Sequence, residues 1–159
     1  MSKSLKRVVK ALAEAGLNIT PLELGPETRT AGQAADAAGC AVDQIAKSVI
    51  FAGQNSGHAR LFITAGGNQV DPAKASALAG EPLGKADAAL IRAQTGFAIG
   101  GVAPVGHLSP ISAFIDPRLL AFTTIYAAAG TPRHIFPINP QQLVGISKAQ
   151  VADFTVIRK

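Results

Sequence analysis

Strand-like and helix-like segments follow one another along this chain in no regular β-α-β-α order, and that irregular order most narrows the fold it can adopt. A doubly wound parallel sheet needs a helix between successive strands, so the pattern favours an α+β domain built on a mixed sheet. Leu5, Val8, Val9 and Leu12 recur at helical spacing, with Lys3, Lys6, Arg7 and Lys10 projecting to the opposite side. Gly16 and Asn18 end that helix, and Ile19 to Leu24 reads as a short strand. Thr30 and Gln33 match a capping box, predicting a helix through Ala38 that Gly39 stops. Ala46 to Phe51 and Leu61 to Thr64 are apolar, β-branched runs around the turn-rich stretch Gly53 to Gly57, which together read as a hairpin. Asp71 and Asp87 cap two further helices, predicted through Leu78 and Gln94. Ser112 to Asp116, Ala121 to Ala127 and Arg133 to Pro137 read as strands, and Asn139 caps a last helix over Pro140 to Val144.

A chain of 159 residues fits one domain, taken here as 1–159. With 48% hydrophobic and 16% charged residues it has the apolar content of a compact soluble protein rather than a disordered one. No apolar run approaches the roughly 18 residues of a membrane span. The basic start is not followed by an apolar signal region, so a cytoplasmic location is expected and no membrane partner. Cys40 has no second cysteine to pair with and no metal-ligand spacing around it, which leaves a small buried thiol. The net charge of +5 can steer an anionic partner such as RNA, but it carries no sequence-specific recognition of DNA. The basic face of the first helix therefore fits two readings, a contact to an RNA backbone or an ordinary solvated surface.

The densest glycine segment is Gly100-Gly101-Val102-Ala103-Pro104-Val105-Gly106-His107, followed by Leu108-Ser109-Pro110. Its glycines allow positive φ and close approach of the backbone to a ligand, while Pro104 and Pro110 restrict the chain between them. Such a loop can aim N–H groups at a phosphate or at the oxyanion formed when water attacks an ester, or it can be a plain connection. Lys47 is the second unusual residue, set between Ala46 and Ser48-Val49-Ile50-Phe51. Its ammonium either snorkels to solvent or meets an anion in a cleft. The histidines His58, His107 and His134 are too scattered for a metal site, and no H-E-x-x-H, G-x-S-x-G, Walker A or G-x-G-x-x-G pattern is present. No cofactor is expected.

Thr28-Arg29-Thr30 ahead of an alanine-rich helix, Ile45-Ala46-Lys47-Ser48-Val49-Ile50-Phe51, the GGVAPVGH loop and Phe114-Ile115-Asp116 together resemble the YbaK/ProX family of tRNA-editing domains. The resemblance covers nearly the whole chain. It implies a barrel-like mixed sheet flanked by helices, and metal-free hydrolysis of the ester joining a small mischarged amino acid to the terminal adenosine of a tRNA. The implied tRNA is that for proline, the amino acids alanine, serine, cysteine or 2-aminobutyrate, and the further partner prolyl-tRNA synthetase. Lys47 matches the family lysine that holds the phosphate or ribose of the 3′ end, with Ser48 beside it. Gly100 and Gly101 match positions whose backbone faces the scissile ester, and Pro104, Gly106 and His107 match the motif that shapes the pocket. Relatives are thought to enlist the substrate's own 2′-hydroxyl, which accounts for the missing protein base; His107 is then a structural residue or, alternatively, a general base. Lys3, Lys6, Arg7 and Lys10 are the candidate tRNA contacts. Two rivals remain open: a non-catalytic nucleic-acid-binding module, and a hydrolase of free small esters.

Overall fold

A computed structural model describes residues 1–26 and 28–158. Helix α1 (Lys3–Glu14) forms where the apolar spacing predicts it, capped by Ser2, whose Oγ accepts the Leu5 N–H, and it buries Leu5, Val8 and Leu12. Helix α2 (Ala31–Ala38) carries the expected capping box: the Gln33 N–H meets Thr30 Oγ1 and the Thr30 N–H meets Gln33 Oε1, each at 3.1 Å. Helices α3 (Pro72–Ala79), α4 (Ala88–Thr95) and α5 (Pro140–Ser147) start on Asp71, Asp87 and Asn139, whose side chains accept N–H groups of the first turn.

The strands are β1 (Leu22–Glu23), β2 (Ile45–Gly53), β3 (Ala59–Ala65), β4 (Leu83–Lys85), β5 (Ser112–Ile115), β6 (Ile125–Ala128), β7 (His134–Ile138) and β8 (Gln150–Val151). They form one mixed sheet in the order β1-β7-β6-β2-β3-β5-β8, with β4 attached to β2. The β2–β3 hairpin is antiparallel, as predicted, while β6 joins β2 and β5 joins β3 in parallel. This is the α+β architecture with a mixed sheet that the order of segments indicates.

Two strands are shorter than expected, and two more appear that the sequence pattern does not predict. The strand expected over Ala121 to Ala127 begins only at Ile125, because Asp116 accepts the Arg118 N–H at 2.9 Å and, with Pro117, starts a 3-10 helix over Pro117–Ala121. The strand expected over Ile19 to Leu24 shrinks to Leu22–Glu23, an edge segment whose pairing is with β7. Strands β4 and β8 are too short to leave a periodic signal and were not foreseen.

Side chains alternate along β2, and the alternation places the site. Ala46, Ile50 and Ala52 face the main core with Leu12, Phe97, Ile115, Phe136 and Leu143. The other face carries Ile45 in a cluster with Leu24, Ala34, Ala35 and Ile135, and Val49 and Phe51 in a second cluster around Phe62, Phe114 and Phe154. Lys47 shares this face and falls between the two clusters, where a cation can sit without being sealed in apolar side chains. The sheet also opens beside it. On one edge β2 pairs with β6 at Ile45 and Ala46 and with β4 from Phe51 onward, so among the described residues the stretch containing Lys47 and Ser48 has no strand on that side.

Candidate active site

The opening along β2 leads into a cavity of about 520 Å³. Its walls are Lys47 and Ser48 of β2, Gly100 and Val102 of the glycine loop, Tyr126 of β6, His134 of β7, and Thr28 to Ala31 at the start of α2. Lys47 is partly buried, and its Nζ donates to the Asn68 carbonyl at 2.7 Å. Snorkelling is thus not its role here, since one N–H is fixed internally and two remain for a ligand. Burial pushes the Lys47 ammonium below its ordinary value, and the carboxylates of Asp116 and Asp43 pull it back toward the charged form. Ser48 lines the same cavity, but its side chain lies on the face of β2 opposite Lys47, and its buried hydroxyl has no hydrogen-bond partner among the described residues.

The two neighbouring glycines of the loop are required for different reasons. Gly100 has φ +87° with open space around a hypothetical Cβ, so its constraint is the backbone angle. Gly101 is buried, and a Cβ there would lie 2.9 Å from the Cα and carbonyl carbon of Thr131, so its constraint is close packing against the β6–β7 connection. The Gly101 N–H is spent on the Ala98 carbonyl at 3.0 Å and is not itself a spare donor. Among the described residues, no acceptor meets the N–H of Gly100 or of Val102, and both residues line the cavity.

The second half of the loop lies elsewhere. Pro104, Gly106 and His107, which the resemblance gives as shaping the pocket, border a separate depression against α5 and do not line the Lys47 cavity. His107 Nε2 donates to the Ala103 carbonyl at 2.7 Å, closing the loop on itself. Burial holds the His107 imidazolium below the usual histidine range, the Ala103 carbonyl opposing this and Arg7 adding to it. Through its hydrogen bond to the Ala103 carbonyl the ring acts as a staple for the loop.

Arg7 departs from the exposed basic face on which helical spacing put it. Its Nε donates to the Gly106 carbonyl at 2.8 Å and its guanidinium lies 4.3 Å from the Phe97 ring centroid, so it ties α1 to the loop. Lys3, Lys6 and Lys10 are exposed, as expected. Replacing Arg7 by alanine is expected to cost about 2 kcal/mol from the charged hydrogen bond and the ring contact. At about 2–4 °C per kcal/mol for a chain this size, thermal unfolding would report a fall of about 4–8 °C. An unchanged midpoint would mean that the contact carries no stability.

Sequence reasoning missed Tyr126 and His134 as cavity residues. Both reach it through the pairing of β6 with β2 and β7, a long-range arrangement with no local signature. Arg29 and Thr30 also line it, next to the positive end of α2. No group of three His, Cys, Asp or Glu able to hold a metal occurs among the described residues, and none of their helices is long and apolar enough to cross a membrane.

The mixed sheet thus parts around a half-buried ammonium, and among the described residues two unused backbone N–H groups, of Gly100 and Val102, belong to the walls of the same cavity. The sequence profile of the aminoacyl-tRNA editing domain matches residues 25–146, and the chain belongs to that family. A solved structure of a protein proposed as a trans-editing enzyme for prolyl tRNA synthetase is 44% identical, with a TM-score of 0.91 over 98% of this chain and 99% of that one. A structure from epitope backbone grafting by computational design onto scaffold proteins is 43% identical, with a TM-score of 0.92 over the same shares. The uncharacterized protein YwhH of Bacillus subtilis (strain 168) is 29% identical over 129 residues, 81% of this chain and 82% of its own length.

Proposed function

We propose that this chain is a trans-acting deacylase that hydrolyses the ester between a small mischarged amino acid and the 3′-terminal adenosine of a tRNA, with the proline tRNA as its substrate. The observation that carries this reading is the meeting of Lys47, Ser48 and Gly100 on one cavity of about 520 Å³, a size suited to a small ligand such as an aminoacylated nucleoside. Membership of the editing family and the likeness to the protein described for prolyl tRNA synthetase support the choice of substrate.

The chemistry needs little from the protein beyond placement. Water attacks the ester carbonyl carbon, a tetrahedral oxyanion forms, the bond to the 3′-oxygen breaks, and that oxygen takes a proton to give free tRNA and free amino acid. The two unused N–H groups of Lys47 hold a phosphate or ribose oxygen of the 3′ end, with Arg29 and the α2 N-terminus adding positive field. The N–H groups of Gly100 and Val102 are the donors available to the oxyanion. The substrate's own 2′-hydroxyl orients the attacking water. Exposed Lys3, Lys6 and Lys10 attract the acceptor stem, prolyl-tRNA synthetase is the partner that supplies mischarged tRNA, and the reaction takes place in the cytoplasm.

The test is deacylation of alanyl, seryl, cysteinyl, 2-aminobutyryl and prolyl forms of one proline tRNA by the purified chain. Turnover of one or more small residues with prolyl-tRNA spared is the expected result. A pocket discriminates a single methylene by only about 1–3 kcal/mol, so the small residues are expected to differ by about 10- to 200-fold at most. Intact protein that hydrolyses none of them would sink the reading and leave a binding module.

A further inference from the structure

Lys47 is held in place by residues that do not line its cavity. The carbonyl that accepts its Nζ proton belongs to Asn68, in the turn Gly66-Gly67-Asn68 after β3, which closes with the Asn68 N–H on the Ala65 carbonyl at 2.9 Å. Side chains have no room at the first two positions. A Cβ on Gly66 would collide with the Val42 carbonyl oxygen, and one on Gly67 would lie 2.5 Å from Asp43 Oδ1 and 2.7 Å from the Arg158 guanidinium. The turn is therefore pressed directly against charged groups.

Those groups form a connected network. The Asn68 side chain donates from Nδ2 to Asp116 Oδ2 at 2.8 Å and accepts on Oδ1 from Arg158 Nε. Arg158 also donates to Asp43 Oδ1 at 2.8 Å, and Arg118 Nε donates to Asp43 Oδ2 at 3.0 Å. The Arg158 hydrogen bond is the leading reason why the Asp43 carboxyl is lowered to about 2, Arg118 and the Gly67 N–H adding to it against the cost of burial. Asp43, Asn68 and Asp116 are all buried. The network ends one hydrogen bond from the ammonium, so a shift of the turn is passed directly to Lys47.

We infer that Arg158 and Asn68 are positioning residues for Lys47: they lock the turn so that the Asn68 carbonyl fixes one N–H of the ammonium and leaves the other two aimed at the ligand. The inference rests on the proposed deacylation only for what the ammonium does, not for how it is held. Arg158 suits a test because its side chain is 52% exposed, so truncating it leaves the hydrophobic core untouched.

The experiment is a double-mutant cycle in the full chain, reading kcat/KM for a mischarged proline tRNA. Arg158→Ala alone is expected to lower kcat/KM about 10-fold through misplacement of the ammonium, and to cost nothing further in a Lys47→Ala background. Equal losses in both backgrounds would overturn the proposal, because a residue acting on stability alone is indifferent to Lys47. A second measurement needs no substrate. After reductive ¹³C-methylation, the Lys47 resonance, assigned by its loss in Lys47→Ala, is expected to stand apart from the exposed lysines and to move toward them in Arg158→Ala and Asn68→Ala. A resonance unmoved in both variants would overturn the positioning role. Should the unaltered chain hydrolyse no aminoacyl-tRNA, the deacylase reading falls, while the resonance still decides this one.

Discussion

Replacing Lys47 by alanine is expected to lower kcat/KM for deacylation of a mischarged proline tRNA by about 100-fold, the scale of a substrate end no longer held in place against the reacting groups. The size of the effect follows from where the ammonium sits. It is partly buried between two apolar clusters, where its field is less screened than on the surface, and it is already held by the Asn68 carbonyl, so little reorganisation accompanies ligand binding. The fold is expected to survive the change. The loss leaves the Asn68 carbonyl without its lysine partner, worth about 1–3 kcal/mol, against the relief of a partly desolvated cation. Circular dichroism and a thermal midpoint within a few degrees would separate lost chemistry from lost structure. Lys47→Arg is expected to restore little, because the planar guanidinium cannot reproduce the compact three-donor geometry. Full turnover by Lys47→Ala would remove the lysine from the mechanism.

Gly101→Ala is expected to cost both activity and stability, whereas Gly100→Ala mainly strains the backbone. At Gly101 the added methyl would sit 2.9 Å from two backbone atoms of Thr131, so either the loop or the β6–β7 connection has to move. Overpacking of this kind costs about 1–3 kcal/mol, and thermal unfolding would show it as a fall of about 2–12 °C. Both displaced elements are walls of the cavity, with Gly100 and Val102 on one and Thr131 and His134 on the other. A shift of about 1 Å in such a site can cost about 100-fold in rate. At Gly100 the methyl meets open space but a φ of +87° that L-residues rarely adopt, costing about 1–3 kcal/mol with no collision. Wild-type rate and midpoint in Gly101→Ala would show that the loop does not need this close approach.

What the sequence disclosed, it disclosed through local chemistry. The helix starts at Thr30, Asp71, Asp87 and Asn139 were legible because a cap and the N–H groups it satisfies lie within a turn of each other. The 3-10 helix after Asp116 carried the same Asp-Pro signature as α3, but the apolar stretch that follows outweighed it as a strand signal. Helical spacing placed Arg7 on the polar side of α1 without disclosing that the loop packs along that flank, within reach of a long side chain. The meeting of Lys47 with Gly100 came from family resemblance, since neither residue marks the other locally. Asn68 was out of reach of any motif, because it acts on Lys47 through its backbone carbonyl.

The central claim is that the cavity between β2 and the glycine loop receives the aminoacylated end of a tRNA. It is tested most directly by titrating ¹⁵N-labelled protein with a non-hydrolysable mimic of that end, alanine joined by an amide to 3′-amino-3′-deoxyadenosine. Saturable shifts concentrated at the amides of Lys47, Ser48, Gly100, Val102 and His134, and lost in Lys47→Ala, are the expected result. Saturable shifts centred instead on the depression beside His107, or on the exposed face of α1, would contradict it.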